Sequence, residues 1–169
     1  MKLRYIKKLI ILSCIPFLTD CTSDTQEKKH YAKQIGDTVF NSTVDSPAFT
    51  FCDSSNVLHK RAYIRYTGGW KTLENKLLKK YTYDPSYKKF TGYFIVRFAV
   101  NCLNQTGRFR VQIVDSNFKQ IESPVALKEH IMNIVKELDG WTHPIYKGHD
   151  YDGYTFMNIK INNGQLIAL

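Results

Sequence analysis

Five stretches of the chain carry a regular alternation of apolar and polar positions, and their order sets the fold class. Trp70, Leu73, Leu77 and Tyr81 recur at helical spacing behind the pair Gly68-Gly69, which predicts an amphipathic helix. Phe94, Val96, Phe98 and Val100 alternate with Tyr93, Ile95, Arg97 and Ala99, so a strand with one wholly apolar face follows. After a turn over Asn101 to Gly107, Phe109, Val111 and Ile113 alternate with Arg108, Arg110 and Gln112, which closes a hairpin. Ser123-Pro124 opens a second helix, with Ser as N-cap and Pro at the first helical position. Its stripe is Leu127, Ile131, Ile134, Val135 and Leu138, and Gly140 ends it. The last strand runs from Tyr154 to Ile161. It puts Met157, Ile159 and Ile161 on one face, and Tyr154, Phe156, Asn158 and Lys160 on the other.

Helix, hairpin, helix, strand is an α+β order. Three strands bury one apolar face when both helices cover it. Pairing the last strand beside the first gives an antiparallel sheet of order 2-1-3, with the last strand as an edge. This domain spans 61–169. Residues 35–60 hold only short apolar islands, Val39-Phe40, Phe49-Thr50-Phe51 and Val57-Leu58, and form an irregular extension that packs onto it.

The N-terminal end has a different character. Lys2, Arg4, Lys7 and Lys8 precede the apolar run Leu9 to Leu18, too short to span a bilayer and typical of a secretory signal over residues 1–20. Leu18-Thr19-Asp20-Cys21 resembles a bacterial lipobox of the relaxed kind found in Bacteroidetes-type lipoproteins, although Asp20 stands where a small residue is usual. The resemblance implies that Cys21 is lipidated, which anchors the chain to a membrane of the cell envelope facing the periplasm, the outer membrane being favoured. Residues 21–34 are polar and form a tether from the lipid.

That reading changes the charge and cysteine arithmetic. Without Asp20 and the four signal cations, 20 Lys and Arg face 14 Asp and Glu, so the net charge is near +6 rather than +9. A charge of this size favours anionic headgroups, while nucleic acid, which needs a basic stripe, is not an expected partner. Of four cysteines, Cys14 leaves with the signal and Cys21 takes the lipid. Cys52 and Cys102 remain, a candidate disulfide in an oxidising compartment, with two free buried thiols as the alternative.

From Tyr63 to Asn162 the motifs, in order, resemble the C-terminal domain of TonB. They are Gly68-Gly69, Tyr83-Asp84-Pro85, the strand from Gly92 to Asn101, Gly107, Val114-Asp115-Ser116, Gly140-Trp141-Thr142-His143-Pro144, Gly148 and the strand from Tyr154. Thr67 replaces a usual Pro, Asp84 interrupts Tyr-Pro, and the Asn101–Gly107 turn is longer than usual. The resemblance implies a TonB C-terminal-like fold that binds a protein partner of the envelope, such as a segment of a TonB-dependent receptor, as a strand added at the last strand's edge. Tyr154, Phe156, Asn158 and Lys160 are the expected partner surface. TonB itself relies on an inner-membrane helix and a long Pro-rich arm. A tether of some dozen residues reaches only about 40–45 Å, so the expected role is an accessory to transmembrane transport.

The rival expectation is a structural lipoprotein that uses the edge to form a homodimer or hides it under residues 35–60. No nucleophile elbow, His-Glu-x-x-His or Cys/His pair appears, so the chain is read as no enzyme, without catalytic residues or cofactors. His143, His149, Asp150 and Asp152 cluster near a Gly loop but match no firm metal spacing, and no metal is expected. His130 beside Glu129 reads as a solvated helix face, and Trp141 as a packing residue.

Overall fold

A computed structural model describes residues 40–58 and 64–168. The expected signal over 1–20, Cys21, the tether over 21–34 and the start of the extension lie outside the described residues. In chain order the elements are β1 (Arg65–Tyr66), α1 (Gly69–Lys80), a 3-10 turn (Pro85–Tyr87), β2 (Gly92–Val100), β3 (Thr106–Val114), α2 (Val125–Lys136), β4 (Trp141–Thr142), β5 (Ile145–Tyr146), β6 (His149–Asp150), β7 (Gly153–Asn162) and β8 (Gln165–Ala168). The architecture is α+β, with every pairing between these strands antiparallel.

One core joins the two helices to one face of the sheet. Leu73 and Leu77 of α1 and Leu127, Ile131, Ile134 and Val135 of α2 are buried with Phe94, Val96, Phe98 and Val100 of β2 and Met157, Ile159 and Ile161 of β7. Each such side chain contributes roughly 1.5–3 kcal/mol when fully buried. Trp141 of β4 closes one end of this core, its ring edge-on to Tyr66 and to Phe98 at 5.0 Å in each case. None of the described helices is long and apolar enough to cross a membrane.

The sheet keeps the expected 2-1-3 order of its three long strands as β3-β2-β7 but adds a fourth strand. Its order is β3-β2-β7-β8, so the last long strand is not outermost. Asn163 and Gly164 take φ of 48° and 74°. Positive φ at both central residues is what a two-residue hairpin turn demands, and Asn-Gly supplies it at little cost. The chain therefore folds back, and β8 pairs with Lys160, Ile161 and Asn162. Leu166 joins the core. The Tyr81 hydroxyl, at the end of α1, donates to the Gly164 carbonyl, and burial pushes that phenol up to about 12.

A smaller correction concerns α2. Pro124 rather than Ser123 occupies the N-cap, and no side chain caps the helix. The Ser123 hydroxyl lies 3.4 Å from the Pro124 carbonyl, a donor facing an acceptor, and so leaves the first helical N–H groups uncapped.

Residues 40–58 lie on the sheet's other face, within the same compact unit as the strands. Phe49 packs against the bare backbone of Gly107, where an added Cβ would fall 2.6 Å from Phe49 Cδ2. Gly107→Ala should therefore lower the unfolding free energy by about 1–3 kcal/mol through overpacking. Urea denaturation checks this; an unchanged midpoint would mean that the ring does not rest there.

Candidate functional site

The sheet register builds the second face in rows. Gly107, Ala99 and Tyr154 form one row across β3, β2 and β7; Arg110, Arg97 and Phe156 form the next; Gln112, Ile95 and Asn158 form the third. Arg108 takes φ of 56° at a bulge in β3, and its side chain shares the Asp45 carboxylate with that of Arg110. Two arginines on one strand face require a carboxylate from elsewhere in the chain, and it comes from residue 45.

Asp45 is 99% covered. Its two oxygens accept from Arg110 Nη1 at 2.7 Å and Nη2 at 2.8 Å, a bidentate fork. Arg108 Nη1 donates at 3.2 Å and the Asn41 backbone N–H at 2.9 Å. The Arg110 hydrogen bonds hold the Asp45 carboxyl at about 2, below its ordinary 3.8, against the opposing effect of burial.

Asp152 is the second anchor. One carboxylate oxygen accepts from the Asp53 N–H at 2.8 Å and the other from the Cys102 N–H at 2.9 Å. A disulfide joins Cys52 to Cys102 beside it. The Asp152 carbonyl accepts from the Leu58 N–H, and the Leu58 carbonyl from the Tyr154 N–H, each at 2.8 Å, in a parallel bridge at the start of β7. Asn101, also buried, ties the β2–β3 turn to the extension by donating from its amide to the Thr50 carbonyl at 3.0 Å.

These anchors place the expected partner residues in different environments. Tyr154 is only 3% exposed: Phe51 lies against its ring at 5.9 Å, and the Arg97 guanidinium sits 4.5 Å over it. Phe156 is half-buried, while Asn158 and Lys160 are exposed. Lys160 pairs with Ala168 of β8, and its ammonium lies 5.7 Å over Tyr93. The alternation put all four on one face, but residues 40–58 cover one end of it and leave the other open.

The loop histidines separate as well. The His143 backbone N–H donates to Asn104 Oδ1 at 2.8 Å, and its ring bonds the same oxygen through Nδ1 at 2.7 Å and Asp150 through Nε2 at 3.0 Å. Asp152 points instead to the disulfide. Among the described residues, the group with metal-ligand proximity is Cys52, Cys102 and Asp152, and its two sulfurs are bonded to each other rather than available as thiolates. His130 is more than a solvated face: its Nε2 accepts from the Thr82 N–H at 3.0 Å, just past the end of α1.

Asp45 was not singled out from the sequence, and Asp152 was weighed only as part of a candidate metal cluster. The first was legible in the two same-face arginines, Arg108 and Arg110, which need a counter-charge once covered. The anchoring role of the second carried no signal, since its partners are backbone N–H groups.

No family model matches the chain. Curated proteins and solved structures likewise give no significant match.

Two outcomes follow from the anchors. Replacing Cys52 and Cys102 by Ser should cost about 2–4 kcal/mol and open residues 46–58 to limited proteolysis while β2, β3 and β7 stay protected. Equal cleavage rates would show that the bond does not hold the segment. A carboxyl moved from 3.8 to about 2 contributes about 2 kcal/mol of stability. That contribution is complete above pH 3.8 and fades as pH falls through about 2. Asp45→Asn should lower stability at neutral pH and narrow its gap to the parent protein as pH falls from 4 to 2, read as urea midpoints across that range.

Proposed function

We propose that this chain is a lipid-anchored protein-interaction domain of the cell envelope, of TonB C-terminal type and without enzymatic activity. It takes an extended segment of an envelope partner, such as a TonB-dependent receptor, onto a margin of its sheet and so serves as an accessory to receptor-linked uptake. The reading is supported by the helix, hairpin, helix, strand order around one antiparallel sheet, and by a disulfide suited to an oxidising compartment.

The observation that carries it is the free side of β3. This strand is outermost among the described residues and runs for nine residues. The Ile113 carbonyl accepts from the Ile121 N–H on that side, and strand alternation turns the Val111 N–H and C=O the same way. Main-chain groups in such a row are what strand addition uses. The margin of β7, expected to serve, is narrowed by Leu58 at its start and β8 at its end.

A second reading has its own observation. Phe49, Phe51 and Val57 pack on Tyr154 and Ala99, so the chain covers part of the expected partner surface itself. On that reading the protein is a self-capped structural lipoprotein with no role in transport.

Photoreactive residues at positions 112 and 156, crosslinked in intact envelopes, separate these readings. The expected outcome is recovery of receptor segments from position 112, reduced ten-fold or more by Val111→Pro, which removes one outward N–H from an edge strand. Recovery from position 156 alone would return the site to β7. No receptor at either position leaves the self-capped reading.

A further inference from the structure

The corner at Asp152 carries a donor set that the disulfide-bonded protein does not use. Cys52 Sγ, Cys102 Sγ and an Asp152 carboxylate oxygen all lie within 4.8 Å of one another. The three residues line a cleft of about 200 Å³ together with His149 and Asn56. Cys52 is exposed and both cysteines line the cleft, so the bond is approached from solvent. None of these residues belongs to the β3 margin, and the site does not depend on strand capture.

Asp152 gives an independent sign of a cation. It is 2% exposed, yet among the described residues no Lys, Arg or His pairs with it. Its two oxygens accept one backbone N–H each, from Asp53 and from Cys102. A carboxylate offers about four lone-pair positions, so about two stay open. Buried charges are ordinarily paired or bound to a metal. The distances suit an ion as well. Zinc holds two thiolates at about 2.3 Å, which sets tetrahedral sulfurs about 3.8 Å apart, and it takes a carboxylate oxygen at about 2.0–2.2 Å. Sulfurs parted that far remain inside the separation that the three donor atoms already keep.

We infer that, once the Cys52–Cys102 bond is reduced, Cys52, Cys102 and Asp152 bind a thiophilic divalent cation such as Zn²⁺, with water in the fourth position facing the cleft. The reductant is a dithiol. It passes two electrons and two protons to the Cys52–Cys102 bond, which opens to two thiols, and itself becomes a disulfide. The ion then displaces one proton from each new thiol and takes both thiolates. One staple thereby replaces another: the metal ties residue 52 to residue 102 when the covalent bond is gone, and the extension stays docked in either redox state.

The test uses the full chain carrying Cys14→Ser and Cys21→Ser, so that Cys52 and Cys102 are its only cysteines. A phosphine reduces the bond without adding a competing thiol. Co²⁺ is the probe, because thiolate ligation gives charge-transfer absorption and a tetrahedral site gives intense d–d bands. The reduced protein should take up one equivalent with both signals, and the oxidised protein should show neither. Cys52→Ser should weaken binding to the reduced protein about 100-fold or more, and Asp152→Asn about ten-fold or more. Zn²⁺ should displace Co²⁺ and restore to the reduced parent protein the resistance of residues 46–58 to limited proteolysis. If Asp152→Asn fails to fold, Cys52→Ser decides, since it removes a ligand and leaves the reduced chain otherwise intact. A reduced protein that takes up no Co²⁺, or uptake that survives Cys52→Ser or a folded Asp152→Asn unchanged, overturns the assignment. Cleavage of residues 46–58 that Zn²⁺ leaves unaltered overturns the exchange of staples.

Discussion

Docking of residues 40–58 depends on Asp152. One carboxylate, 2% exposed, accepts from the backbone N–H of Asp53 and of Cys102, and the carbonyl of the same residue accepts from Leu58. Three pieces of chain that are distant in sequence thus meet at one side chain and its own peptide group. The disulfide adds a covalent link at the same point. A buried carboxylate taking two N–H donors cannot be replaced by an apolar residue without leaving both donors unsatisfied. The corner where β2 turns, β7 begins and the extension arrives is therefore specified by polar geometry rather than by shape.

The two faces of the sheet are closed by different means. The helix side is covered by long apolar side chains from α1 and α2, which need only periodicity to be assembled. The other side is covered by a segment with no regular structure, held by an ion pair with Arg108 and Arg110, by Phe49 against Gly107 and by the disulfide. Such a segment has few apolar contacts to spare, and its stability rests on a handful of specific bonds. The bulge at Arg108 and the short β8 limit how much of each sheet margin is straight and exposed, a common way to restrain unwanted pairing.

What was legible in the sequence follows the same division. Strands β2, β3 and β7 and both helical stripes were readable because each runs for nine or more residues with unbroken periodicity. The two-residue ladders of β1 with β4 and of β5 with β6 are too short to leave a pattern. Strand β8 was missed although Asn163-Gly164 is a strong hairpin signal, because the strand after it has only four residues. The face of Tyr154, Phe156, Asn158 and Lys160 was readable from alternation. Their unequal exposure was not, since it depends on Asp45 reaching Arg110 across 65 positions and Cys52 reaching Cys102 across 50.

The Cys52–Cys102 bond also determines how the domain bears a load. A pull applied upstream of residue 40 first meets the Asp45 ion pairs and the Phe49 contact, which can be peeled apart one at a time. At Cys52 it meets a covalent bond and passes directly into the β2–β3 turn at Cys102. The chain from Asp53 to Asn101, which includes α1 and all of β2, lies in the closed loop and carries none of that tension along its backbone. Force from the N-terminal side can strip the extension as far as the disulfide, while the helix and the central strand remain mechanically shielded behind it.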